Sequence, residues 1–257
     1  NMLAGQVISA TTITVTNTAE LLAALSKAVG GETIYLAPGD YTLSLWSKTQ
    51  PFSVFPREVI VTSQDPSNMA VITRLGLSGT QNLTFDKIRF DYRFQSGDPD
   101  YLRPFSMTGG DGQLKNITIR NSVFDGDVAA GTGDSSRDGY GTAYGLGVDG
   151  RGAAPTEGIV IENNYFNKWL RGGVFGDINN LTVRGNEVTN VRSDGFDFAS
   201  IQTVMIEGNY IHDFSKSAGS GDHPDMIQFW TSGTSRPNTN ITIRNNWLLA
   251  QKGQWTQ

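Results

Sequence analysis

Through the second half of the chain the apolar and polar positions repeat one phrase: ITIRNSVF (117–124), IVIENNYF (159–166), LTVRGNEV (181–188), VMIEGNYI (204–211) and ITIRNNWL (241–248). Each copy opens with strict alternation, the signature of a strand with one buried face. It then bends at Asn-Ser, Asn-Asn or Gly-Asn and resumes with apolar residues. In register, Ser122, Asn164, Asn186, Asn209 and Asn246 share one position. Before them stand Asn121, Asn163, Gly185, Gly208 and Asn245, the two residue types that best tolerate left-handed backbone angles. The pattern therefore predicts a bend at the same place in every copy.

A second strand is predicted ahead of four of these copies, at GLGV (145–148), GGVF (172–175), DGFDF (194–198) and DMIQF (225–229). A coil of about 22 residues, lengthened by insertions in some turns, is the sequence mark of a solenoid. Stacked coils bury the alternating apolar residues in a continuous core. The expected fold is all-β, a right-handed parallel β-helix over residues 1–257. The recurring Asn-Leu/Ile-Thr at Asn82, Asn116, Asn180 and Asn240 has the spelling of a glycosylation acceptor. Its recurrence at the start of the repeat strand favours a structural role.

Near the N-terminus, TVTNTAELLAALSKAVGGETIYLAPGDYTL predicts a short capping helix. Thr18 is its expected N-cap, Leu21, Leu22, Leu25 and Ala28 its apolar stripe, and Gly30-Gly31 its stop. ETIYLAPGDY reads as the first coil strand. The C-terminal QKGQWTQ offers no matching cap, so further coils or another subunit are expected to cover that end.

Composition narrows the function. Net charge is −5 and pI about 5.0, with no run of Lys or Arg, which argues against a nucleic-acid partner. No apolar run approaches the roughly 18 residues that cross a bilayer, so no membrane partner is expected. Zero cysteines exclude disulfides and thiolate metal sites. The Gly-rich GTGDSSRDGYGTAYG (131–145) lacks the Gly-Lys-Ser/Thr of a phosphate-binding loop and reads as a substrate-side loop.

The helical opening AELLAALSKAVGGETIYLAPGDYTL together with the Asn-bend coils resembles the pectate-lyase-like β-helix superfamily, especially its polysaccharide lyases and alginate epimerases. The resemblance covers nearly the whole chain. It implies a long carbohydrate lying along one sheet, walled by the insertions before Gly145 and Asp225. Residues 172–229 align loosely with mannuronan epimerase coils, whose catalytic strand carries Asp-Pro-His-Glu. Here that strand reads GGVFGDI, and His223-Pro224-Asp225 lies two coils later.

Alternation sorts the candidate residues. With Phe196, Phe198, Ile227 and Phe229 inward, Asp197 and Gln228 face out on neighbouring rungs and Trp230 follows outside. Asp194 and Asp225 sit at matching strand starts, and Asp149 and Asp177 are expected outward on preceding coils. β-Elimination on a uronate needs a base and a group that stabilises the charge developing on the carboxylate. His223 is the expected proton-transfer group, with Asp225, Asp197, Asp194 and Arg171 around it. Gln228, Trp230, Tyr140, Arg192 and Lys168 are the expected substrate contacts. Asp194, Asp197, Asp222 and Asp225 form a candidate Ca²⁺ set.

Bland readings stand beside these: His223 as a turn residue, the aspartates as acceptors for turn N–H groups, and His212 as structural. The expected activity is cleavage of an acidic polysaccharide by β-elimination, in an extracellular or periplasmic setting. Uronan epimerisation, glycoside hydrolysis on adjacent or alternate rungs, and a non-catalytic tailspike or adhesin module are the alternatives.

Overall fold

A computed structural model describes residues 11–45, 53–130, 139–216 and 223–250, without the side chains of 130, 139 and 140. Parallel strands wind into a helix of coils with three sheets along its length. The first sheet stacks Val71–Ser78, Phe105–Gly110, Tyr144–Gly152 and the leading parts of Arg171–Arg184 and Phe196–Glu207, then Ile227–Trp230. The same two long strands bend into the second sheet, between Thr156–Glu162 and Thr239–Arg244. The third sheet runs from Arg89–Asp91 through Val123–Asp125, Tyr165–Asn167, Glu187–Thr189 and Tyr210–His212 to Trp247–Leu249.

Alternation decides the interior. In the second sheet Leu83, Ile117, Ile159, Leu181 and Val204 form one ladder, all buried. The third sheet stacks Phe90 on Phe124 at 4.5 Å and Phe124 on Phe166 at 4.4 Å. Phe175, Phe198 and Phe229 stack likewise in the first, at 5.4 and 5.1 Å. Repeating one residue type on a ladder lets each ring meet its neighbour face on, with about 4.8 Å set by strand spacing.

The bends form as the repeats require. Asn121, Asn163, Gly185, Gly208 and Asn245 all have φ between 51° and 65°. The residues after them build a buried ladder of amides. Asn164 donates its backbone N–H to Asn186 Oδ1, Asn186 to Asn209 Oδ1 and Asn209 to Asn246 Oδ1, at 3.0, 3.0 and 2.9 Å. Each side-chain NH₂ also donates to a carbonyl of the coil before it, as Asn186 Nδ2 does to Ile161 O at 2.9 Å. Asn82, Asn116, Asn180 and Asn240 take another left-handed corner, with φ of 51° to 59°. Their recurrence thus has a backbone cause.

Two N-terminal details differ from expectation. Asn17, not Thr18, caps the helix Thr18–Lys27, accepting the Glu20 N–H at 2.9 Å; the Thr18 hydroxyl instead accepts the N–H of Thr42. The buried stripe is Leu21, Ala24 and Leu25, while Leu22 and Ala28 are only half-buried. The first strand described is Thr12–Val15, ahead of the helix, and it pairs with Thr33–Leu36. At the other end Ile241, Ile243 and Leu248 hold inward positions yet are exposed, with no cap over them among the described residues.

Candidate active site

Two outward ladders of the first sheet carry the polar chemistry. One runs Gly147, Val174, Asp197, Gln228. The other pairs Tyr144 with Arg171, and the same register continues to Asp194 and Asp225, through Gly172 N–H to Asp194 O and Gly195 N–H to Asp225 O. The sequence expectation that Asp194 and Asp225 begin matching strands, with Asp197 and Gln228 adjacent, agrees with this register. Asp149, however, pairs with Gly176, so Asp177 lies past its ladder at the corner, with φ 55° and its carboxylate on Ser235 Oγ.

Arg171 gathers the acids. Its Nε stands 2.9 Å from Asp194 Oδ2 and its Nη1 3.0 Å from Asp197 Oδ2. Both aspartates are almost fully buried. Two ionised carboxylates beside one guanidinium would leave a net negative charge in a dry site, so the pair retains a proton. Asp194 accepts the Asp225 N–H at 3.1 Å, which favours its ionised form. Burial nevertheless raises the Asp194 pKa, opposed by Arg171. For Asp197, burial first and the charge of Asp194 second outweigh Arg171, and its pKa is pushed up to about 8. We therefore assign the charge to Asp194 and the proton to Asp197 at neutral pH.

Tyr144 and Arg103 complete this face, and neither was anticipated. The Tyr144 ring meets two cations, with its centroid 5.5 Å from Arg171 Cζ and 5.3 Å from Arg103 Cζ. Burial raises its phenol pKa, partly countered by the two arginines. Tyr144 was legible in principle, because GLGV and GGVF align and place it opposite Arg171. Arg103 comes from the loop between the third and first sheets and leaves no periodic signal.

Above the acid cluster is a pocket of about 100 Å³ lined by Arg171, Val174, Asp197, Phe198, Ala199 and Trp230. It adjoins an open cleft of about 360 Å³ that shares Val174 and Trp230 and adds Arg103, Asp149, Arg151 and the 232–235 loop. Both buried Asp197 carboxylate oxygens and Gln228 Oε1 have no hydrogen-bond partner among the described residues, Asp197 Oδ2 meeting Arg171 only as an ion pair. They are polar atoms on neighbouring rungs that a ligand hydroxyl could satisfy.

The other expected residues are placed as follows. Gln228 donates to Asp225 Oδ2 at 2.7 Å. Trp230 is 48% exposed at the rim of both openings. His223 is exposed, two residues before Asp225, and makes no hydrogen bond or ion pair with the described residues. Arg192 is a correction: it is 1% exposed, with Nη1 toward Ala129 O at 3.5 Å, so it is buried and not presented on the open face. Lys168 is an exposed corner residue with φ 62°, and its carbonyl accepts the Val128 N–H. Asp222 and the Tyr140 side chain lie outside the described residues. His212, on the third sheet, is buried between Asp213 and Glu187, at 2.7 and 3.0 Å, consistent with a structural role.

Of the expected calcium ligands, Asp194 and Asp197 are already met by the Arg171 guanidinium, which stands where a cation would neutralise them. No group of three His, Asp or Glu among the described residues is arranged to hold a metal. No helix among them is long and apolar enough to cross a membrane.

The sequence matches the family model described as right handed beta helix region over residues 105–254. No curated protein matches it. Among solved structures, an alginate lyase from Paenibacillus sp. is similar at 13% identity and a TM-score of 0.24, covering 93% of this chain and 100% of that one. The A-module of a mannuronan C-5 epimerase from Azotobacter vinelandii is similar at 16% identity and 0.26, covering 92% and 94%. At such scores neither neighbour's activity transfers to this chain.

Proposed function

From the premise that this chain belongs to the right-handed β-helix family, we propose that it binds an acidic polysaccharide along its first sheet and cleaves it by β-elimination. The observation that carries this reading is the buried Arg171–Asp194–Asp197 cluster at the floor of an open groove. Elimination removes the proton beside a uronate carboxyl group, and negative charge then builds on that group. A cation and a neutral hydrogen-bond donor are what stabilise it. Arg171 supplies the first and protonated Asp197 the second. A carboxylic acid kept neutral by burial can donate where a carboxylate would repel.

In this reading the uronate carboxylate docks over Arg171 and Asp197, and Gln228 and Trp230 hold the ring by a hydrogen bond and by stacking. His223, exposed on the approach to the Gln228 strand, takes the proton. As it leaves, the bond to the leaving oxygen breaks, and that oxygen acquires a proton to become the new chain end. The other product carries a carbon–carbon double bond. No metal enters this scheme, and the reaction takes place outside the cytoplasm, where such polymers occur.

A protonated Asp197 is also the state required of a general acid in glycoside hydrolysis. Both Asp194 and Asp197 are engaged by Arg171, however, which leaves neither as the free carboxylate that hydrolysis requires on the far side of the glycosidic bond. The test is ultraviolet absorbance of the unsaturated product on a panel of polyuronates, with reducing ends measured in parallel. Rising absorbance supports elimination. New reducing ends without absorbance mean hydrolysis, and neither signal with bound polymer leaves epimerisation or binding alone.

A further inference from the structure

Arg103 stands apart from the other arginines of the groove. Arg171 is held by two aspartates. Arg151 meets Asp149 through both Nε and Nη2, at 2.9 and 2.6 Å. Arg236 donates to Asn179 Oδ1. Arg103 has no hydrogen bond or ion-pair contact among the described residues; its guanidinium meets the Tyr144 ring, 5.3 Å from Cζ, and pulls on Asp149 only weakly, behind Arg151. The acid lining the cleft beside it, Asp149, is already bound by Arg151.

The floor is shaped for this side chain. A Cβ at Gly147 would come 3.0 Å from Arg103 Cδ and 3.6 Å from Cγ. Glycine at that rung therefore lets the stem lie across the sheet. With the Tyr144 ring beside it, the guanidinium is held at the lining of the 360 Å³ cleft. A positioned guanidinium with no carboxylate in direct contact is suited to an anion, which it binds through a two-pronged contact.

We propose that Arg103, seated over Gly147 and Tyr144, is a second anion-recognition position that reads the acid group of a sugar next to the one at Arg171. The site then takes runs of consecutive uronates in preference to chains in which acidic and neutral sugars alternate. The proposal rests on the acidic-polysaccharide reading above, but not on the reaction assigned there. Both guanidiniums stand within 5.5 Å of the centre of one ring, close enough to serve neighbouring acid groups of a bound chain.

Calorimetric titration of the protein with homopolymeric uronate hexasaccharides, and with hexasaccharides alternating acidic and neutral units, tests it. Arg103→Gln is expected to lose about tenfold in affinity for the homopolymer and to bind the alternating chain as before. Gly147→Ala, which displaces the Arg103 stem, should give the same selective loss with Arg103 intact. Equal homopolymer affinity for Arg103→Gln and the original protein overturns the proposal, as does an equal loss on both ligands. Selective loss without unsaturated product in any turnover assay upholds Arg103 and overturns β-elimination. No binding of any polyuronate by the original protein overturns both.

Discussion

Arg171 Nη1 lies 3.0 Å from Asp197 Oδ2, yet Asp197 is a group that keeps its proton to about pH 8. The guanidinium charge is shared with Asp194, and burial makes a second ionised carboxylate too costly. Chemistry and stability in this site are therefore tied to one proton.

The stability consequence has a definite sign. The folded pKa of Asp197 lies above the value of about 3.9 in an unfolded chain, so between these values the folded protein binds more protons. The contribution is fully present below about pH 4 and is lost as pH rises through about 8. Urea titrations at intervals across that range should show declining stability for the original protein and a flatter profile for Asp197→Asn. An equal decline in both would place the proton elsewhere.

The same proton governs turnover. If neutral Asp197 donates to the substrate carboxylate, kcat/KM falls above about pH 8. Asn keeps an N–H donor but cannot ionise, so Asp197→Asn should retain its residual rate past that limb. A falling limb unchanged in this variant would assign it to another group.

Removing the cation leaves two buried acids uncompensated. Arg171→Met is expected to lose about 3 kcal/mol of folding stability at pH 8, less at pH 5 where both acids can protonate. Polyuronate binding should fall with it. Thermal melts at the two pH values check the difference, and an equal loss at both would mean that packing, not charge, is responsible.

Asn186 tests the coil ladder. It accepts the Asn164 N–H and donates to Ile161 O, both in the buried interior. Asn186→Ala strands both partners and should cost about 3 kcal/mol in urea unfolding, while an exposed control such as Lys168→Ala costs nearly nothing.

His223 is the simplest variant to interpret, because it is exposed and makes no hydrogen bond or ion pair with the described residues. His223→Ala should leave the melting temperature and polyuronate affinity unchanged and lower kcat by about 100-fold. Unchanged kcat would return His223 to the role of a turn residue.

The coil was readable because its cause is local and repeated. Alternation sends Ile117, Ile159 and Leu181 inward, and Asn or Gly before the amide ladder supplies a left-handed bend each time. The same alternation placed Asp197 beside Gln228 and Asp194 beside Asp225, since ladder register follows from the spacing of repeats. Cap choice between Asn17 and Thr18 was not readable, because both residues suit the role and the contact with Thr42 decides between them.

What the sequence by itself determined is therefore the fold and the ladder on which each acid stands, because both follow from backbone periodicity. Only the tertiary structure decided their chemistry. It showed Arg192 buried, Arg103 laid over Gly147, and Arg171 shared by two carboxyls. Charge state and exposure depend on residues from separate coils and loops meeting in a low-dielectric space, and no repeat encodes that meeting.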